Sequence, residues 1–284
     1  MRSVKKIHQA VYAPIANLVT YRALPTQSVE YIDPFLFLNH HGPQVYPAHN
    51  SGLPFGPHPH RGMETVTFII EGDIAHKDSS GHESVIKAGG IQWMRAGRGL
   101  IHAEVSSNEF KQEGGPLEIL QLWVNLPAKL KMAEPFYIGK QKDEIPVLQL
   151  NECTVTANLI SGQWKDVQGA FESETGIFLS TIHFKPGAEL DVQIPEAHSI
   201  FFYVITGEVV VNGTAVRALH LAEFDHNGDT LTIQAKPDSM LLLGHAMPFN
   251  EPVVSHGPFV MNTQQEIKQA YDDYNAGKFG YWDE

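Results

Sequence analysis

Two short stretches constrain this chain more than any others: Phe55-Gly-Pro-His-Pro-His-Arg-Gly-Met-Glu64 and Ala96-Gly-Arg-Gly-Leu-Ile-His-Ala-Glu104. Each contains two potential metal ligands one residue apart, His58 with His60 and His102 with Glu104. In a β-strand, residues i and i+2 point to the same face. Two strands bordering one cavity would aim three imidazoles and a carboxylate at a single point. That donor set suits a borderline divalent transition metal and leaves coordination positions open.

A His-x-His pair alone is a weak signal in a chain with 15 histidines. Here the residues between the two pairs read as a β-meander. Thr65-Val-Thr-Phe-Ile-Ile70 is β-branched and aromatic, as strands prefer. Glu71 to His82 supplies turn residues around a short strand, Lys87-Ala-Gly-Gly90 is a further turn, and Ile91-Gln-Trp-Met94 is a strand. Such a ladder can carry both pairs back to one end of a barrel.

The chain has 284 residues, enough for one large or two ordinary domains. Its apolar content of 43% and charged content of 18% describe a globular protein. The sequence shows no bilayer-spanning apolar run and no secretory leader, and its single cysteine, Cys153, excludes an intrachain disulfide. These features point to a reducing cytoplasm and to no membrane partner. The net charge of −12 disfavours direct nucleic-acid binding, since no lysine and arginine cluster offsets it. Serine, histidine and aspartate do not occur in a nucleophile-elbow setting, so hydrolase chemistry has no support in the sequence.

The strand rhythm resumes after a polar stretch from Pro127 to Pro146, which reads as a linker with one short helix. Domains are therefore expected at 1–127, metal-binding, and 147–284, with 128–146 between them. A weak internal repeat relates Phe68-Ile-Ile-Glu-Gly-Asp-Ile74 to Tyr203-Val-Ile-Thr-Gly-Glu-Val209. Carried back in that register, His58 falls on Gln193, His60 on Pro195 and Glu64 on Ser199, none a good ligand. The second barrel thus reads as a copy without the site. From Thr263 the pattern is a capped helix with Ile267, Ala270, Tyr271 and Tyr274 on one stripe, ended by Gly277. Asn39, His40 and His41, just before Gly42-Pro43, read as a surface turn, with a place at the cavity entrance as the alternative. Arg61 and Arg98 flank the ligand pairs as substrate contacts or salt-bridge partners.

Pro57-His-Pro-His-Arg-Gly-Met-Glu-Thr65, Ala96 to Glu104, Gln121-Leu-Trp-Val-Asn-Leu-Pro127 and Asn250 to Asn262 together resemble the pirin family of the cupin superfamily. The likeness covers most of the chain, from about residue 30 to about residue 265. One departure is the Asn39-His40-His41 stretch, where the family pattern usually has an acidic residue. The resemblance implies an all-β bicupin: two antiparallel β-barrel or jelly-roll domains packed face to face, with a short C-terminal helix. It implies one divalent transition metal, Fe(II) foremost, with Cu, Ni, Mn, Zn or Co as alternatives. The ligands it implies are His58, His60, His102 and Glu104, with Glu104 also the catalytic carboxylate. Glu64 keeps strand parity with the histidines and competes for the ligand role. The family pattern instead takes the carboxylate two residues after the last histidine, leaving Glu64 in the pocket.

What the resemblance implies about activity is a quercetinase-like dioxygenase that inserts O2 into a flavonol and releases carbon monoxide. Phe55, Phe68 and Trp93, with Glu64, would line the substrate pocket. The alternative is a non-catalytic regulator whose metal redox state controls a protein partner. A sugar-phosphate isomerase on a cupin scaffold is weaker, for want of a basic phosphate cluster.

Overall fold

The computed structural model describes residues 1–282. It is nearly all β, with antiparallel sheets grouped into two compact units. The first unit comprises Tyr12–Tyr21, Leu36–Lys142 and the chain from Phe249 onward; the second comprises Met1–Val11, Arg22–Phe35 and Asp143–Pro248. Among the described residues no helix is long and apolar enough to cross a membrane.

In the first unit a four-stranded sheet runs in the order Phe55–His60, Leu100–Val105, Asp73–Asp78, Glu83–Lys87. A second sheet orders Phe136–Lys140, Ile91–Arg95, Met63–Glu71, Gly115–Asn125 and Phe35–Tyr46. Ile74 and Ile86 of one sheet share a core with Ile69, Leu117 and Ile119 of the other. The Met63–Glu71 strand is buried on both faces over most of its length, which accounts for its nearly continuous β-branched and aromatic run.

The second unit repeats the plan. Its larger sheet includes Ser199–Thr206, Ser239–Ala246 and Phe178–Phe184, and its smaller sheet orders Glu189–Gln193, Thr230–Ala235, Glu208–Val211 and Thr214–Arg217. Glu189–Gln193 shows the half-buried pattern plainly. Leu190 and Val192 enter the core while Glu189, Asp191 and Gln193 stay exposed.

Three sequence expectations change. The chain does not divide into consecutive segments at 127 and 147. Val4–Gln9 pairs with His220–Phe224 in the second unit, and the C-terminal helix Gln264–Asn275 belongs to the first. There Ile267 and Ala270 pack with Phe259, Met261, Phe279 and Ile101. Second, the 128–146 stretch is more than a linker, because Phe136–Lys140 pairs with Ile91–Arg95. Third, Asn39, His40 and His41 are buried inside the Phe35–Tyr46 strand. His40 Nε2 meets Glu118 at 2.8 Å and His41 Nδ1 meets the Thr20 hydroxyl at 2.9 Å. These polar partners on neighbouring strands make burial of the two imidazoles tolerable. The helix itself is as expected, with the Thr263 hydroxyl accepting from the Glu266 amide at 3.2 Å. A second short helix, Asn108–Glu113, was not anticipated.

Candidate metal centre

His58 and His60 lie on the Phe55–His60 strand and His102 on Leu100–Val105, and these strands pair antiparallel with His102 opposite His58. One nitrogen of each ring falls within 4.8 Å of the other two. Among the described residues this is the one cluster of three or more His, Cys, Asp or Glu side chains close enough to hold a single ion.

Hydrogen bonds fix how two of these rings present themselves. His58 Nδ1 donates to the Gly56 carbonyl at 2.7 Å, and His60 Nδ1 donates to the Pro258 carbonyl at 3.1 Å. A carbonyl only accepts, so each Nδ1 carries the proton and each Nε2 keeps a free lone pair. This is how metal-binding imidazoles are oriented by their surroundings. His102 is fully buried, and neither of its nitrogens has a hydrogen-bond partner among the described residues. An unmet buried polar group costs about 1–3 kcal/mol. A metal ion accepting its lone pair removes part of that penalty, so the donor set fits one.

The rings are also in the right charge state. Burial, aided by the neighbouring His58, lowers His60 to about 3 against the hydrogen bond to Pro258. Burial, with His60, His58 and His76 nearby, holds His102 well below the ordinary histidine value. Both rings are neutral at ordinary pH, the form that can bind a metal.

Glu104 is buried on the strand of His102, with an irregularity in the pairing between the two. Its carboxylate stands outside the mutually close trio of nitrogens. Three side chains grip it: the Thr67 hydroxyl at 3.1 Å and the Gln92 amide on Oε1, and the Gln121 amide on Oε2. Tyr137 O–H donates to Gln92 Oε1 at 3.1 Å, which sets the direction of that amide. Burial pushes Tyr137 up to about 12, so it keeps its proton. The Tyr137 ring stacks at 3.9 Å on His76, whose Nε2 meets Asp78 at 3.0 Å.

Register separates the two carboxylates. Thr67 stands opposite Gln92 on one neighbouring strand and opposite Gln121 on the other, and all three contact Glu104. Trp123, two residues from Gln121, lies 5.2 Å from the His60 ring. Glu64, Phe68 and Trp93 have the opposite parity and turn to the other side of this sheet. There Glu64 accepts from the Trp93 indole N–H at 3.1 Å. The expected pocket of Glu64, Phe68 and Trp93 is therefore corrected, and of that group only Phe55, opposite Glu104, stays beside the ligand strands. Glu64 loses the strand parity of His58 and His60 because Arg61-Gly62 separates the Phe55–His60 and Met63–Glu71 strands. Gly62 has φ +80°, and a Cβ there would stand 2.0 Å from the Val260 carbonyl oxygen.

An outer frame holds this corner. Lys131, buried, donates to the Gly62 carbonyl at 2.9 Å, Asn125 Oδ1 at 2.8 Å and the Val260 carbonyl at 3.0 Å. Burial lowers it to about 8. Arg61 Nη1 donates to Asp273 at 2.8 Å, while Arg98 pairs at 2.9 Å with Glu134. Both arginines are thus in ion pairs. The sequence signals missed Thr67, Gln92, His76, Tyr137, Lys131 and Pro258. Only Gln121 and Trp123 carried a hint, through their alternation with Leu120, Leu122 and Val124.

In the second unit, His198 and His245 meet through their Nδ1 atoms at 3.0 Å but do not belong to a three-ligand cluster.

Comparison with known proteins bears on the whole chain. The family model described as Pirin matches residues 17–124, and that of the Pirin C-terminal cupin domain matches residues 179–280. A pirin-like protein of Caulobacter vibrioides is 38% identical over 91% of this chain and 91% of its own length. A pirin-like protein of Solanum lycopersicum is 35% identical over 98% and 92%. A crystal structure of quercetin 2,3-dioxygenase from Acinetobacter baumannii superposes with a TM-score of 0.92 at 34% identity, covering 99% of each chain.

Proposed function

The chain belongs to the pirin family, and from that footing we propose that it is a metal-dependent dioxygenase acting on flavonols such as quercetin. The observation that carries this reading is the convergence of His58, His60 and His102, with Nε2 of the first two left free by their backbone hydrogen bonds. Similarity to a quercetin 2,3-dioxygenase over the whole chain supports the substrate class. When bound, a divalent ion, proposed to be Fe(II), supplies Lewis acidity toward the flavonol 3-hydroxyl oxygen and redox chemistry toward O2.

The protein's own part follows from the geometry. Glu104 is proposed as the fourth ligand. A carboxylate has about four acceptor positions, and Thr67, Gln92 and Gln121 take three. The remaining one, on Oε2, can face a metal or take the proton of the substrate's 3-hydroxyl, but not both at once. Trp123, stacked at 4.4 Å on Phe37, offers an aromatic wall beside His60. His102 and Glu104 are buried, whereas His58 keeps contact with solvent, so substrate is expected from the His58 side.

Turnover tests the reading. Metal-loaded protein should bleach quercetin with equimolar oxygen uptake and carbon monoxide release, and a flavone lacking the 3-hydroxyl should be inert. No carbon monoxide from fully loaded protein would reject the dioxygenase and leave a regulatory, metal-binding role.

A further inference from the structure

The second unit contains a serine, a histidine and a carboxylate in series, remote from one another in sequence. His8 Nδ1 lies 2.6 Å from the Ser28 hydroxyl, and His8 Nε2 lies 3.0 Å from Glu223 Oε2. Each member has a definite setting. His8 is buried on the Val4–Gln9 strand, Glu223 is on the adjacent His220–Phe224 strand, and Ser28 is exposed on a turn closed by Thr26 and Val29.

The charges arrange the protons. Burial works against the Glu223 carboxylate, but hydrogen bonds from Lys5 and His8 outweigh it and lower its pKa, so it stays ionised. An ionised carboxylate can only accept, so the His8 proton sits on Nε2. Nδ1 is then the acceptor for the Ser28 O–H. A nucleophile in hydrogen-bond reach of a base, itself oriented by a third group, is the arrangement that activates a hydroxyl. Lys6 donates to the Ser28 carbonyl at 3.4 Å, which brings positive charge to the turn.

We propose that Ser28 is an activated nucleophile that accepts an acyl group from an activated ester or thioester. Ser28 Oγ bonds to the acyl carbon and its proton passes to His8 Nδ1. The bond from acyl carbon to the leaving oxygen or sulfur breaks, and the leaving group takes the proton from His8. Water attacking in the same way releases the carboxylic acid and restores the serine. No oxidant or metal takes part, and the trio shares no residue with the metal centre.

The probe is p-nitrophenyl acetate with the full-length protein, following p-nitrophenolate release and locating the acetyl group by peptide mass spectrometry. In samples quenched with acid during p-nitrophenolate release an acetyl group is expected on Ser28, with none at that position in Ser28→Ala, which should retain its metal content. His8→Gln should slow the labelling roughly 100-fold, the lower end of what a positioned base supplies. Glu223→Gln, at a partly exposed site, should also slow it and carries the test if His8→Gln does not fold. Acetylation confined to lysines, or Ser28 labelling at an unchanged rate in Glu223→Gln, would overturn the proposal.

Discussion

At the scale of single residues, the account turns on which carboxylate serves the ion. Glu104 shares a strand with His102, whereas Glu64 faces the other side of its sheet and holds the Trp93 indole. Glu104→Gln should therefore weaken metal binding by more than the roughly 10–100-fold typical of an outer-sphere change. Glu64→Gln should leave metal affinity close to unchanged and act on stability instead. Competition titration with a chromophoric chelator measures both, and the reverse order would move the ligand role to Glu64.

The histidines also fix a pH dependence. His60 and His102 bind protons less readily folded than unfolded, where a histidine titrates near 6.5. Below that value the unfolded chain takes up more protons, so folding stability falls as pH drops from about 6.5 toward about 3. Each such group contributes up to about 1.4 kcal/mol per pH unit in its window. Urea melts of metal-free protein should show this slope, and His60→Asn should flatten it.

At the scale of elements, the centre depends on a segment far away in sequence. Val260 donates to the Arg61 carbonyl at 3.0 Å, Pro258 orients His60, and Lys131 ties Gly62 to Val260. Lys131→Met leaves three acceptors unmet and loosens the turn after His60. Metal affinity should fall roughly tenfold or more, as for other outer-sphere losses. Isothermal titration would show it, and unchanged affinity would mean that the frame is dispensable. What was legible here was local. Same-face spacing and a shared barrel end point to His58, His60 and His102, which the fold brings together, and a capping box gives the last helix. Pro258 was not legible, because a backbone carbonyl 198 positions from His60 leaves no mark on side-chain spacing. The strand parity of Glu64 misled because one glycine with positive φ interrupts the register. The Phe136–Lys140 strand was hidden because none of its residues is fully buried and the polar run from Lys140 to Glu144 follows it.

At the scale of the whole molecule, two similar barrels have diverged. The internal repeat was visible in sequence, and so was the lack of ligand pairs in the later copy. The placement of the terminal segments was not, because the strand that Val4–Gln9 joins, His220–Phe224, lies far along the chain and side-chain spacing does not encode such a pairing. One ion per chain is thus expected, with turnover following it. The most direct measurement is oxygen uptake with quercetin by protein loaded with one equivalent of Fe(II), alongside His102→Ala and free Fe(II) at equal concentration. The account predicts sustained uptake, stoichiometric with flavonol consumed, in the native protein alone. Equal uptake in His102→Ala, or in free Fe(II), would contradict it.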